Sequence, residues 1–138
     1  DALKAKTLYE IGERIGLGFQ LKDDLLDVYG DPEKFGKQVG GDILANKKTY
    51  LLIRALESAQ GEALDSLNAW IEASNPNPVE KVIAITQLYT DLGIRTETEA
   101  KINQYFDLAF EAIDQLNLQS EQKEVLGKFL AGLVDREV

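Results

Sequence analysis

Apolar residues recur at intervals of three and four along most of the chain, and this spacing predicts an all-α protein. In residues 2–29, the series Leu8, Ile11 and Ile15 follows that spacing and predicts one long helix. The sequence Gly-Asp-Pro at 30–32 is expected to end it. No segment alternates with a period of two, so no strand is expected. Three glycines interrupt this helix and predict the close approach of a neighbouring helix or of a substrate: Gly12, Gly16 and Gly18.

The same spacing predicts five more helices within a single helical unit that covers residues 1–138. Residues 30–42 contain four glycines and are predicted to form a loop. The next helix is expected to begin between Ala45 and Lys48. Ser120 is a candidate N-cap for the last helix, and Gly93 is a candidate C′ residue. The predicted helices after the first cover residues 45–61, 62–73, 79–92, 94–116 and 121–134.

Composition narrows the possible chemistry. Hydrophobic residues make up 44% of the chain, which is enough for a globular core. The formal net charge of −9 argues against nucleic-acid binding and against docking on anionic membranes. The chain has no cysteine and no histidine, which excludes disulfides, thiolate zinc sites and Ser-His or Cys-His catalysis. No apolar run reaches the roughly 18 residues that an integral membrane segment needs.

Three carboxylates stand late in the first predicted helix, within an otherwise apolar run: Asp23, Asp24 and Asp27. Gln20 shares one arc of the helix with them, and apolar residues cover most of the rest. We therefore expect this helix to be buried nearly all round, with one polar window. One interpretation is a solvated acidic face, or acids that favour the helix dipole. Their late position, where the dipole disfavours negative charge, favours a metal ion or another cationic partner instead, and oxygen ligands select a hard ion such as Mg²⁺.

A glycine-rich stretch follows the acids and carries two separated lysines, Lys37 and Lys47. One interpretation is an ordinary solvated loop; the other is a diphosphate site, because an ammonium group binds phosphate as a point charge. The segment 41–49 is faintly similar to a P-loop, but Asn46 replaces the glycine before the lysine and no strand precedes it. Gln20 is likewise either a helix-surface glutamine or an amide that orients a metal-bound water or a phosphate.

These residues together resemble a known family. The run Phe-Gln-x-x-Asp-Asp-x-x-Asp-x-x-Gly-Asp at 19–31 is followed by Gly36-Lys37, then Gly41-Asp42, then Lys47-x-Thr49. This order and spacing closely resembles the second aspartate-rich region of the trans-isoprenyl diphosphate synthases, which make farnesyl, geranylgeranyl and longer polyprenyl diphosphates. The resemblance implies an antiparallel helical bundle that forms the C-terminal portion of the isoprenoid synthase fold.

The resemblance also implies an activity and roles for residues. Members of the family are Mg²⁺-dependent prenyltransferases that condense an allylic diphosphate with isopentenyl diphosphate and release pyrophosphate. By motif position, Asp23 would be the main metal ligand, and Asp24 and Asp27 would assist it directly or through metal-bound water. The catalytic cations that hold the departing diphosphate would be Lys37 and Lys47, with Gln20 in the same shell.

The family's first aspartate-rich motif has no counterpart here, because the pattern D-D-x-x-D occurs once in the chain. We therefore expect the chain to be the C-terminal part of a longer synthase and to be inactive by itself. We also expect a homo-oligomer, specifically a dimer, and a cytoplasmic location. The alternative is a non-catalytic helical subunit or interaction module of a heteromeric synthase, although such a subunit would be free to lose its acidic motif. A third interpretation is a terpene cyclase, which also uses Mg²⁺ and a helical bundle. Terpene cyclases, however, lack this pairing of the acidic run with Gly36-Lys37 and Lys47-x-Thr49.

Overall fold

The computed structural model describes residues 2–31, 39–116 and 119–134. Within those residues every regular element is a helix and no strand occurs, which confirms the predicted all-α class. None of the described helices is long and apolar enough to cross a membrane. The helices are α1 (Ala2–Tyr29), α2 (Gly41–Leu44), α3 (Tyr50–Ser58), α4 (Gly61–Glu72), α5 (Pro78–Asp91), α6 (Ile94–Gln115) and α7 (Ser120–Val134).

Helix α1 has the predicted limits, but the prediction that it is buried nearly all round is wrong. Ile11 and Ile15 are buried, as the apolar spacing requires. By contrast, Leu3 is 72% exposed and Tyr9 is 71% exposed, and Leu8 and Leu17 are also exposed. The buried surface of this helix is therefore a stripe rather than a full circumference.

The connection between α1 and α3 departs from the prediction in two places. Gly41–Leu44 form the short helix α2 in a stretch that was expected to be loop, and the following helix begins at Tyr50, later than predicted. Asn46 has a φ of 52°, which interrupts the right-handed helical path. Thr49 Oγ1 then accepts a hydrogen bond from Leu52 N at 3.2 Å and caps the new helix.

The later helices follow the predicted limits closely. Helix α5 begins with Pro78 after an N-cap residue, Asn77, whose side chain accepts a hydrogen bond from Glu80 N at 3.0 Å. Gly93 has a φ of 74°, which confirms it as the C′ residue of α5. The prediction that Ser120 is the N-cap is wrong by one residue, because Ser120 is the first residue of α7. Preceding it, Gln119 N donates to Gln122 Oε1 at 3.1 Å.

The chain divides into two compact units. The first unit comprises the described residues of 1–22 and 100–138, and the second unit comprises residues 23–99. In the second unit, α5 packs against α2, α3 and α4. That the whole chain forms a single helical unit stays a prediction.

A close helix approach occurs in the first unit at Gly18. An ideal Cβ at this position would lie 2.6 Å from Cε1 of Phe106, which is itself buried. The prediction of close approach is confirmed there. At Gly12 and Gly16 an added Cβ would meet no atom of the described residues within 4 Å, so no described helix lies close to them, and the approach of a substrate there stays a prediction.

Candidate functional site

The predicted acidic residues lie at the C-terminal end of α1, in the second unit. Asp24 and Asp27 are buried, each with 8% of its surface exposed, and Asp23 is exposed. Leu25 and Val28 on the same turn belong to the apolar core. Carboxylates at 24 and 27 are therefore held within a packed region, and burial of such groups is costly unless hydrogen bonds or cations compensate it.

Asp27 connects the end of α1 to the beginning of α2. Its Oδ2 accepts a hydrogen bond from Asp42 N at 2.8 Å, and its main-chain oxygen accepts one from Gly40 N at 2.6 Å. Gly40 has a φ of 99°, and a Cβ there would lie 2.9 Å from both γ-carbons of Val82. A side chain at position 40 would require Val82 of α5 to move and would be strained at this positive φ, so the glycine allows the start of α2 to lie close to α5.

Lys47 stands beside two of these carboxylates. Its Nζ lies 4.0 Å from Asp24 Oδ1 and 3.8 Å from Asp42 Oδ1. The lysine side chain is 60% exposed, whereas those of Asp24 and Asp42 are 11% and 23% exposed. The fold thus brings Lys47 together with Asp24, and it adds Asp42, which belongs to the recognised motif but had no predicted role.

The negative charge of Asp24 is only partly compensated by its surroundings. Burial raises the pKa of its carboxyl group above the usual value, because the charged form loses hydration. The ammonium group of Lys47 acts in the opposite direction, and the carboxylates of Asp42, Asp23 and Asp27 raise the pKa further. Additional positive charge at this position would stabilise the ionised carboxylate.

The donor set fits Mg²⁺ when other ligands complete the coordination. All the candidate protein ligands are carboxylate oxygens, which hard divalent ions prefer. In the described part of the chain, no three acidic side chains are grouped closely enough to hold an ion by themselves. Mg²⁺ commonly binds through one or two carboxylates together with waters and phosphate oxygens. Carboxylates in this arrangement therefore fit an ion that a diphosphate shares, rather than an ion enclosed by protein alone.

The structure does not test two of the predicted site residues. Gln20 is an exposed residue of α1 that belongs to the first unit. Lys37, with its neighbour Gly36, lies outside the described residues. Their assignments to diphosphate binding stay predictions.

The sequence analysis did not single out Lys81, which is only 2% exposed on α5. Its Nζ donates a hydrogen bond of 2.6 Å to Asn46 Oδ1. The sequence spacing could have identified this lysine, because Lys81 stands four residues before Ile85 and eight before Tyr89, which are both buried. A lysine on the core-facing stripe of a helix indicates a buried cation.

Comparison with known proteins identifies sequences that match up to 95% of this chain. The polyprenyl synthetase family model matches residues 1–89. The short chain isoprenyl diphosphate synthase of Methanothermobacter thermautotrophicus is 32% identical over 131 residues, which are 95% of this chain and 39% of that protein. The geranylfarnesyl diphosphate synthase of Aeropyrum pernix is 29% identical over 133 residues, 95% of this chain and 40% of that protein.

Solved structures share the fold. A geranylgeranyl pyrophosphate synthase superposes with a TM-score of 0.88 at 34% identity, covering 100% of this chain and 43% of that one. A geranylgeranyl pyrophosphate synthase from Corynebacterium glutamicum, solved with isoprenyl diphosphate and magnesium, has a TM-score of 0.80 at 31% identity and covers 95% of this chain and 37% of that one. The chain therefore spans about two fifths of the length of these relatives.

Proposed function

The chain belongs to the polyprenyl synthetase family, and we propose that it supplies the diphosphate-binding part of a prenyltransferase active site. In the proposed reaction the bond between the allylic carbon and the diphosphate oxygen of the allylic substrate breaks. A carbon–carbon bond forms between that allylic carbon and isopentenyl diphosphate. A proton is lost and pyrophosphate is released. The relatives named above as isoprenyl diphosphate synthases support this activity. We also propose that these 138 residues alone do not turn over substrate, because they contain one D-D-x-x-D motif.

We propose that Asp23 and Asp24 hold Mg²⁺ together with the diphosphate. When bound, Mg²⁺ neutralises charge on the diphosphate oxygens and so makes pyrophosphate a better leaving group. Asp27 is assigned a supporting place, because its Oδ2 already accepts the hydrogen bond from Asp42 N. The Corynebacterium relative that was solved with isoprenyl diphosphate and magnesium supports this choice of metal and ligand.

Lys47 is the proposed diphosphate-binding cation among the described residues. The observation that carries the proposal is its position, with an ammonium group 4.0 Å from Asp24 Oδ1 on a side chain that remains 60% exposed. A largely exposed ammonium group beside carboxylates can contact an incoming anion whose other oxygens share the metal. Lys37 and Gln20 are proposed to contribute to the same diphosphate.

The proposal extends to assembly and location. We propose a homodimer, which is supported by exposed large apolar side chains such as Tyr9 on α1 and Phe129 on α7. A cytoplasmic location is supported by the absence of cysteine, since a reducing compartment offers no use for disulfides. The net charge of −9 argues against nucleic acid as a ligand.

Calorimetric titration of inorganic pyrophosphate into the chain with Mg²⁺ tests the site. We expect Lys47→Ala to weaken pyrophosphate binding by about 10- to 100-fold, the usual worth of a charge-assisted contact. Binding of Mg²⁺ alone should change little, because Lys47 is not a metal ligand. Lys48→Ala is the matched control, since Lys48 is the neighbouring exposed lysine. Equal pyrophosphate affinity in Lys47→Ala and the unmodified chain would contradict the proposed site.

A further inference from the structure

The buried lysine of α5 has a hydrogen bond that packing alone does not explain. Lys81 is 2% exposed, and its Nζ donates to the neutral Oδ1 of Asn46 at 2.6 Å. A buried ammonium group loses its hydration, and a neutral amide restores only part of that free energy. A methionine at position 81 would fill similar space without this cost. The ammonium group is therefore a candidate for a role in the site.

Its partner, Asn46, has an unusual backbone conformation. Asn46 is the one described residue other than glycine with a positive φ, at 52°. Asparagine tolerates this left-handed region better than most residues, but the conformation persists only where the surroundings hold it. The side chain is held at both ends, because Oδ1 accepts from Lys81 and Nδ2 donates to the main-chain oxygen of Ile71 at 3.2 Å.

The left-handed turn at Asn46 determines the position and direction of the Lys47 backbone. Immediately after this turn, Lys47 N donates to Asp42 O at 2.9 Å, and Lys47 O accepts from Thr49 N at 2.8 Å. These bonds return the chain towards the start of α2, where the lysine ammonium group lies 3.8 Å from Asp42 Oδ1. Asn46, Lys47 and Asp42 also line one small cavity of about 10 Å³, which has room for about one water molecule.

We propose that Lys81, acting through Asn46, positions the Lys47 ammonium group for a diphosphate. This inference rests on the proposed function, because it assumes that Lys47 binds the diphosphate. With only 2% of its surface exposed, Lys81 does not reach the ligand itself. It is a positioning residue, and its effect on ligand binding passes through Lys47.

A double-mutant cycle tests this route, with calorimetric titration of inorganic pyrophosphate in the presence of Mg²⁺. Lys81→Met keeps the aliphatic stem and removes the ammonium group. We expect it to weaken pyrophosphate binding by about three- to tenfold in the unmodified chain, within the range of measured couplings between neighbouring residues. In the Lys47→Ala background the same substitution should change the affinity by less than about twofold. Lys128→Met, at a side chain that is 77% exposed in the first unit, controls for the loss of one positive charge.

Asn46→Gly provides an independent variant should Lys81→Met unfold, as circular dichroism would show. Glycine adopts a positive φ without strain, so this variant keeps the turn accessible but removes both side-chain hydrogen bonds. We expect a similar weakening of pyrophosphate binding, again absent in the Lys47→Ala background. Adding Lys81→Met to Asn46→Gly should cause no further loss of affinity.

The outcomes separate the two proposals. If Lys47→Ala weakens binding but Lys81→Met and Asn46→Gly do not, the positioning role is wrong and the proposed diphosphate site stands. If Lys81→Met weakens binding equally with and without Lys47, it acts through general destabilisation, which overturns the positioning role. If Lys47→Ala itself has no effect, the proposed function fails.

Discussion

The two units of the chain bury different kinds of side chain. In the first unit, the buried side chains among the described residues are all apolar, and Phe106 packs edge-on against Phe19 with ring centroids 5.6 Å apart. The second unit also has an apolar core, which includes Leu51 and Ile85. It buries in addition all the polar and charged residues that are buried in the described chain: Asp24, Asp27, Thr49, Lys81 and Thr98.

This difference distinguishes a packed scaffold from a candidate site. Apolar burial stabilises a fold directly, whereas a buried charge stabilises it only when its partners compensate lost hydration. Thr98 Oγ1 has such a partner, because it donates to Ile94 O at 2.7 Å. Asp24 is less well compensated, since burial raises the pKa of its carboxyl group. Incompletely compensated charge is expected where a ligand or metal supplies the remaining interaction.

The largest expected effect is on turnover, when an acid of the second unit is replaced and compared with an acid of the first unit. A chimera would carry this chain in place of the aligned part of the Methanothermobacter synthase. There, Asp23→Ala should lower turnover by about 100- to 1,000-fold, because a metal ligand is lost. The free energy of unfolding should change by less than about 0.5 kcal/mol, because Asp23 is exposed.

Asp107→Ala is the matched control for that experiment, since Asp107 is an exposed acid of α6 in the first unit. Turnover of this variant should equal that of the unmodified chimera. Turnover is measured as pyrophosphate release. Similar losses in the two variants would show that the effect of Asp23→Ala is not specific to the proposed metal site, and unchanged turnover in Asp23→Ala would show that the chemistry does not depend on this acid.

An intermediate effect concerns packing in the first unit. Gly18→Ala should lower the free energy of unfolding by about 1–3 kcal/mol, because the new methyl group would overlap the buried ring of Phe106. Gly16→Ala should instead raise it by about 0.5–1 kcal/mol, because alanine favours a helix and its Cβ meets no described atom. Urea unfolding of both variants measures the difference. A gain in stability for Gly18→Ala would mean that this helix approach is not tightly packed.

The smallest expected effect is the pH dependence of stability at Asp24. Its pKa is raised in the folded state above the usual 3.8, so the folded chain binds this proton more tightly than the unfolded chain does. Stability from this group is present below pH 3.8 and is lost as the pH rises through the raised pKa. Without Mg²⁺, Asp24→Asn should therefore unfold at higher urea concentration than the unmodified chain at pH 7.

That advantage of Asp24→Asn should shrink as the pH is lowered towards 3.8. Asp23→Asn is the control, because its side chain is exposed. A pH-independent difference between Asp24→Asn and the unmodified chain would show that ionisation of the buried carboxyl group is not its source.

The local signals in the sequence predicted much of the fold. The apolar spacing and the Gly-Asp-Pro stop predicted the limits of α1, and Gly93 marked the end of α5. The beginning of α3 was missed because it depends on the left-handed turn at Asn46, which tertiary hydrogen bonds hold. Apolar spacing also did not reveal that Leu3 would be exposed, because exposure depends on which neighbours are present.

For the candidate site, the sequence alone was enough to identify the acidic run, the following lysines and the resemblance to a family. The acidic run could be identified because residues three or four apart share one face of a helix. Tertiary structure decided that Lys47 lies beside Asp24, across 23 positions of sequence, and that Asp42 joins them. It also decided that Lys81 is bonded to Asn46, 35 residues away. The sequence pattern does not contain such contacts, because they join residues that are far apart in the sequence and meet only in the folded chain.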